Sequence, residues 1–153
     1  MTPMAYLGAR DICRIHAERL RWSLDTLRLL RPLTAEKLTT LRPMDLAVCD
    51  QFITRFSKLQ DTMGTKLFPA VLELTRESGD LSAFIDKLNR LEKIGAIGSA
   101  QQWLTLREMR NQFAHDYPED PEIQASLLNR AFNLAEEMMR ILEEVNRFAE
   151  RYL

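Results

Sequence analysis

Residues 127–152 read LLNRAFNLAEEMMRILEEVNRFAERY. Within them Leu127, Ala131, Leu134, Met138, Ile141, Val145, Phe148 and Tyr152 recur in alternating steps of four and three. A helix turns by about 100° per residue, so this spacing draws one continuous apolar stripe along a long helix. A strand would need alternation at every second residue, which the stretch lacks. The stripe predicts a long C-terminal helix packed by one face into a bundle. Glu136, Glu137, Glu143 and Glu144 lie beside it and read as the wet side of that helix.

The same periodicity extends through the rest of the chain. Phe52, Phe56, Leu59, Met63 and Leu67 form a second stripe, Leu81, Phe84, Leu88 and Leu91 a shorter one, and Trp103, Leu106, Met109 and Phe113 a fourth. Proline and glycine separate them, because proline lacks the amide donor and glycine tolerates left-handed backbone. Pro32 and Pro43 bracket the first connection, Ser78–Asp80 and Gly95–Ser99 read as turns, and Pro118–Pro121 precedes the last helix. Pro69 is expected to kink or split the second long helix after Phe68. The expectation is all-α: an antiparallel helical bundle of four to six helices, forming a single domain over residues 1–153.

Composition narrows the function classes. At 153 residues, 46% apolar and 28% charged, the chain is large enough to bury a core without metal or disulfide staples. Cys13 and Cys49 have no CxxC spacing and read as free, buried thiols in a reducing compartment. No signal peptide and no apolar run of about 20 residues is present, so a cytoplasmic location is expected. The two histidines, His16 and His115, have neither zinc-ligand spacing nor the Glu-x-x-His partners of a di-iron bundle. GAIG at Gly95–Gly98 lacks the remaining glycines and the preceding strand of a dinucleotide fingerprint. No metal or cofactor is expected. Net charge is −1, with Arg10, Arg14, Arg19, Arg21, Arg28 and Arg31 crowding the first helix and acids crowding the tail. A paired, solvated helix surface accounts for the arginines at least as well as an anion site does.

The densest polar constellation is REMRNQFAHDYP, Arg107–Pro118. On a helix, Arg110 falls at the edge of the Trp103–Leu106–Met109–Phe113 face, and Asn111 and His115 lie one turn apart on the adjoining flank. Tyr117 follows Arg110 by seven residues, nearly beneath it if the helix persists to Pro118. As structure alone, this is an ion-pairing arginine and a histidine at the negative end of a helix dipole. As chemistry, a histidine that titrates near neutrality beside a guanidinium is a minimal set for cleaving RNA without metal. The imidazole takes the ribose 2′-hydroxyl proton, and the arginine meets charge developing on phosphate. One such pair is sparse, and a symmetric dimer would bring two into one cleft.

Arg110-Asn-Gln-Phe-Ala-His115 followed by Asp116 and Tyr117 resembles the R-x4-H-x-Y form of the HEPN superfamily signature, as in HepT-like toxins encoded beside MNT-type nucleotidyltransferase antitoxins. The resemblance extends to a small helical chain with the motif ending its penultimate long helix. It implies a metal-independent endoribonuclease toxin of a type VII-like toxin–antitoxin pair, with its active site composed at a homodimer cleft. Arg110 and His115 would be the catalytic pair, Asn111 their support, and Tyr117 the residue the nucleotidyltransferase partner adenylylates. A second polar cluster, Gln51, Arg55, Lys58 and Asp61, lies on the second long helix, and there Arg55 is a candidate for the RNA cleft. The alternative is a non-catalytic helical module that binds a nucleotidyltransferase partner or nucleotide with the same motif.

Overall fold

The computed structural model describes residues 3–77, 81, 83–114 and 119–153. Seven α-helices cover most of them: α1 (Met4–Thr26), α2 (Ala35–Thr39), α3 (Pro43–Thr62), α4 (Phe68–Leu74), α5 (Phe84–Lys93), α6 (Ala100–Ala114) and α7 (Pro121–Glu150). A π-helical turn, Met63–Leu67, joins α3 to α4 without a break, so the described residues form a bundle of six helical rods, and no strand occurs among them.

Pro69 accounts for this joint. It cannot donate to the Thr65 carbonyl, and the chain widens just before it, the Phe68 amide donating five residues back to Met63. Of the kink or split expected here, the split does not occur. The structure keeps the rod continuous and absorbs the proline in one wide turn. The stripe on the rod is fully buried, with Phe52, Phe56, Leu59, Met63, Leu67 and Phe68 all at 0% exposure. Phe52 meets Phe132 of α7 edge-on at 4.9 Å, and Phe56 meets Phe113 of α6 at 5.6 Å.

The α7 stripe packs as expected along most of its length, with Ala131, Met138, Ile141, Val145 and Phe148 buried. Its last expected member differs. Tyr152 lies beyond the end of α7, half exposed, its ring 5.4 Å from Phe148. The glutamates expected on a purely wet face are partly engaged. Glu136 receives two hydrogen bonds from Arg21 of α1 at 2.8 and 2.9 Å, and Glu137 accepts from Gln102 and Arg140. Asn129 of α7 pins the first connection by accepting from the Leu33 amide and donating to the Leu33 carbonyl, both at 2.8 Å.

Cys13 and Cys49 are buried free thiols, and burial pushes them up to about 12 and about 11. Neither supplies a thiolate near neutral pH. The expected turn at Ser78–Asp80 lies outside the described residues. The one at Gly95–Ser99 is a helix-ending motif in which Ala96 donates to Leu91 at 2.9 Å and Gly95 to Glu92 at 3.1 Å. Gly95 takes φ +86°, and the next helix starts at once, its Ala100 amide donating to Glu92 Oε2 at 2.7 Å. An L side chain at that φ is strained, so Gly95→Ala should lower unfolding stability by about 1 kcal/mol, read from the urea midpoint, although its Cβ would meet no atom within 4 Å.

Candidate functional site at the end of α6

The α6 helix is positioned by its apolar face: Trp103, Leu106 and Met109 are buried and Phe113 half-buried. Trp103 abuts Phe68 at 4.6 Å and passes beside the π turn, its Cζ2 lying 3.6 Å from where a Cβ on Gly64 would sit. A Cβ at position 64 would rest in ordinary contact with this ring and with Phe84. The close approach brings the polar flank of α6 alongside Asp61, the last acid of α3.

Arg110 is thereby clamped. Its Nε donates to Asp61 Oδ1 at 2.8 Å and its Nη2 to Asp61 Oδ2 at 2.9 Å, the parallel two-bond geometry that suits guanidinium and carboxylate. The hydrogen bond to Asp61 raises the arginine's pKa further above its ordinary value, with partial burial pulling the other way. The pair is partly open to solvent, so its worth to stability is at most about 1 kcal/mol, and its main effect is to fix one orientation of the guanidinium.

A cavity of about 340 Å³ opens beside this clamp, lined by Gln60, Asp61, Gly64, Thr65, Phe84, Arg107, Arg110 and Asn111. Arg107, one turn before Arg110 and exposed, lies over the Phe84 ring at 5.2 Å. Asn111 is exposed at the rim. Two arginines against one aspartate leave the lining with a local surplus of positive charge, although the chain as a whole carries −1. Such a cavity has an apolar wall, two amide side chains and a net cationic edge, which suits an anion carrying a flat or apolar group.

Of the residues singled out in the sequence, Arg110 and Asn111 come together here. His115 and Tyr117 lie outside the described residues. Arg55 is not among the residues lining this cavity. It turns to α1, where its Nη1 bonds His16 Nδ1 at 2.9 Å. In the sequence Asp61 stands only as one member of a polar cluster, and nothing there marks Gln60, Gly64, Thr65, Phe84 or Arg107 as lining residues. A glycine and a proline five residues apart inside an apolar stripe were the available sign that the α3 rod is distorted beside α6. Among the described residues, no three His, Cys, Asp or Glu side chains gather as a ligand set for a metal ion. No helix there is long and apolar enough to cross a membrane. Comparison with protein-family models, curated proteins and solved structures finds no match for this chain.

The Arg55 contact fixes the charge of His16. A guanidinium only donates, so His16 Nδ1 must keep its lone pair and the imidazole stays neutral. Burial, then the charges of Arg55, Lys58 and Arg19, lower its pKa below 6.5. A base whose folded pKa is depressed binds its proton more readily when unfolded, so its contribution is intact above 6.5 and is lost as pH falls below that value. The urea midpoint should therefore drop on acidification from neutral pH, and His16→Gln, which cannot take up the proton, should show a smaller drop.

Proposed function

We propose that the chain is a metal-independent endoribonuclease of the HEPN type, acting as the toxin of a toxin–antitoxin pair in the cytoplasm. The observation that carries this reading is the bidentate Asp61–Arg110 clamp. It holds the motif arginine in one orientation at the edge of a cationic cavity, with Asn111 beside it and His115 next but four along the chain. In this reading the His115 imidazole takes the proton from the ribose 2′-hydroxyl, and the 2′-oxygen attacks the adjacent phosphorus. The 5′-oxygen leaves as a hydroxyl, giving a 2′,3′-cyclic phosphate on the other fragment. Arg110 stabilises the charge gathering on the phosphoryl oxygens, and Asn111 supports the pair by hydrogen bonding. Two motifs facing each other in a homodimer cleft would supply the acid that protonates the leaving oxygen.

Cleavage of a mixed RNA substrate in excess chelator should fall by two orders of magnitude or more in Arg110→Ala and His115→Ala, both folded by circular dichroism. Asp61→Asn keeps the shape of the clamp while weakening it. It should lower the turnover number more than substrate affinity, since orientation of Arg110 matters most in the transition state. Full activity in folded His115→Ala would end the mechanism. It would favour the alternative of a non-catalytic module for a nucleotidyltransferase or nucleotide.

The regulatory part of the proposal is that an MNT-type nucleotidyltransferase adenylylates Tyr117. A nucleotide two residues from His115 would crowd the RNA, and its phosphate would compete for Arg110. With the partner enzyme, ATP and magnesium, wild type should gain the mass of an adenylyl group on the peptide containing Tyr117. Tyr117→Phe should not, and equal labelling of both would remove the switch.

A further inference from the structure

The face of α1 turned away from the core carries a stripe that no helix among the described residues covers: Met4, Gly8, Asp11, Ile15, Trp22 and Thr26, all exposed. Ile15, midway along this 23-residue helix, is 45% exposed and Trp22, near its end, 55%, large values for such side chains. We infer that this face pairs with the same face of a second copy of the chain, antiparallel, with the two-fold axis at Ile15.

The sequence of the stripe selects this occupant and this register. With the axis at Ile15, each residue lies opposite the one equally far on the other side. Asp11, four residues before, meets Arg19 of the second copy, four residues after, and the symmetry makes the pair twice. Gly8, seven residues before, meets Trp22 of the second copy, seven residues after. A Cβ on Gly8 would touch nothing within 4 Å, so the glycine leaves open backbone where the largest side chain needs room. Ile12 meets the aliphatic stem of Glu18. Asp11 has only a loose contact with its neighbour Arg10 at 3.7 Å, which leaves it available to a better-placed cation. The registers one turn to either side fail. Sliding by one turn sets Ile15 against Asp11 or against Arg19, pressing a charge onto an apolar side chain. A parallel pairing opposes Asp11 to Asp11 and Arg19 to Arg19.

This contact is independent of the ribonuclease reading and uses a different part of the surface. On α3, Arg55 points to α1 and Asp61 to α6, so the helix between them separates the α1 face from the Arg110 cavity. A pair joined through α1 keeps both cavities open. Where the motif faces also pair, as the composite ribonuclease site requires, the two contacts together make a tetramer when their two-fold axes meet at right angles.

Sedimentation equilibrium of the full chain at tens of micromolar tests the inference. Wild type should have the mass of two or four chains, and Ile15→Glu, at an exposed position, should halve it with helicity unchanged. Asp11→Arg and Arg19→Asp should each weaken association by about tenfold, and the double variant, which restores opposite charges across the axis, should regain most of it. Ile15→Cys should oxidise to a disulfide-linked pair in a background whose own two thiols are buried. A monomeric wild type, an Ile15→Glu variant of unchanged mass, or a double charge swap no better than its singles would each overturn the proposal.

Discussion

The bundle depends on the burial of one rod. Phe52, Phe56, Leu59, Met63, Leu67, Phe68 and Val71 run along α3, the π turn and α4 with no exposed surface, and α1, α6 and α7 each bring apolar side chains against them. Removing side chains of this size from water stabilises by about 1.5–3 kcal/mol each, an upper range set by an extended unfolded chain. Pro69 sits within this rod, so its missing hydrogen bond had to be accommodated without losing contact on either side of it. A single widened turn retains Met63 and Leu67 in the interior, and Thr65 turns its hydroxyl back to the Asp61 carbonyl at 2.7 Å.

That local solution has consequences for chemistry. The π turn begins at Met63, two residues after Asp61, and it contains Gly64, beside which the Trp103 ring passes. Proline placement and the packing of Trp103 thus jointly set how near α6 lies to the only acid that meets Arg110 among the described residues. Wide turns of this kind recur beside functional sites because they re-aim side chains without breaking a helix. Here the re-aimed segment forms one wall of the cavity.

Helical periodicity alone made the architecture legible, since an apolar stripe records which face is buried whatever it packs against. It could not show what happens at the ends of stripes. Tyr152 continues the α7 spacing yet lies past the helix, because periodicity carries no information on where neighbouring helices stop. Polar partners were the least legible. Arg110 and Asn111 could be placed on one flank from their own helix, but Asp61 is 49 residues away, and its pairing depends on how closely α3 and α6 approach. Arg55 shows the converse. Its own helix left it equally free to face the cavity or α1, and the choice was made by His16, an isolated histidine whose role no local pattern revealed.

The two arginine contacts of α3 divide its flanks electrostatically. At Asp61 a carboxylate neutralises Arg110, and Arg107 alone among the cavity residues adds unbalanced charge. At Arg55 the partner is a neutral imidazole, so that flank keeps the full guanidinium charge, and Lys58 and Arg19 are close enough to depress the histidine with it. The more cationic flank is therefore the one facing α1. A polyanion approaching the protein would feel both, yet only the Asp61 flank presents a cavity with an arginine fixed in orientation. Affinity for phosphate scales with unneutralised charge, whereas stabilisation of a transition state depends on a dipole already aimed. An arginine held by a carboxylate gives up some of the first to gain the second, which is the balance that the proposed ribonuclease reading requires of Arg110.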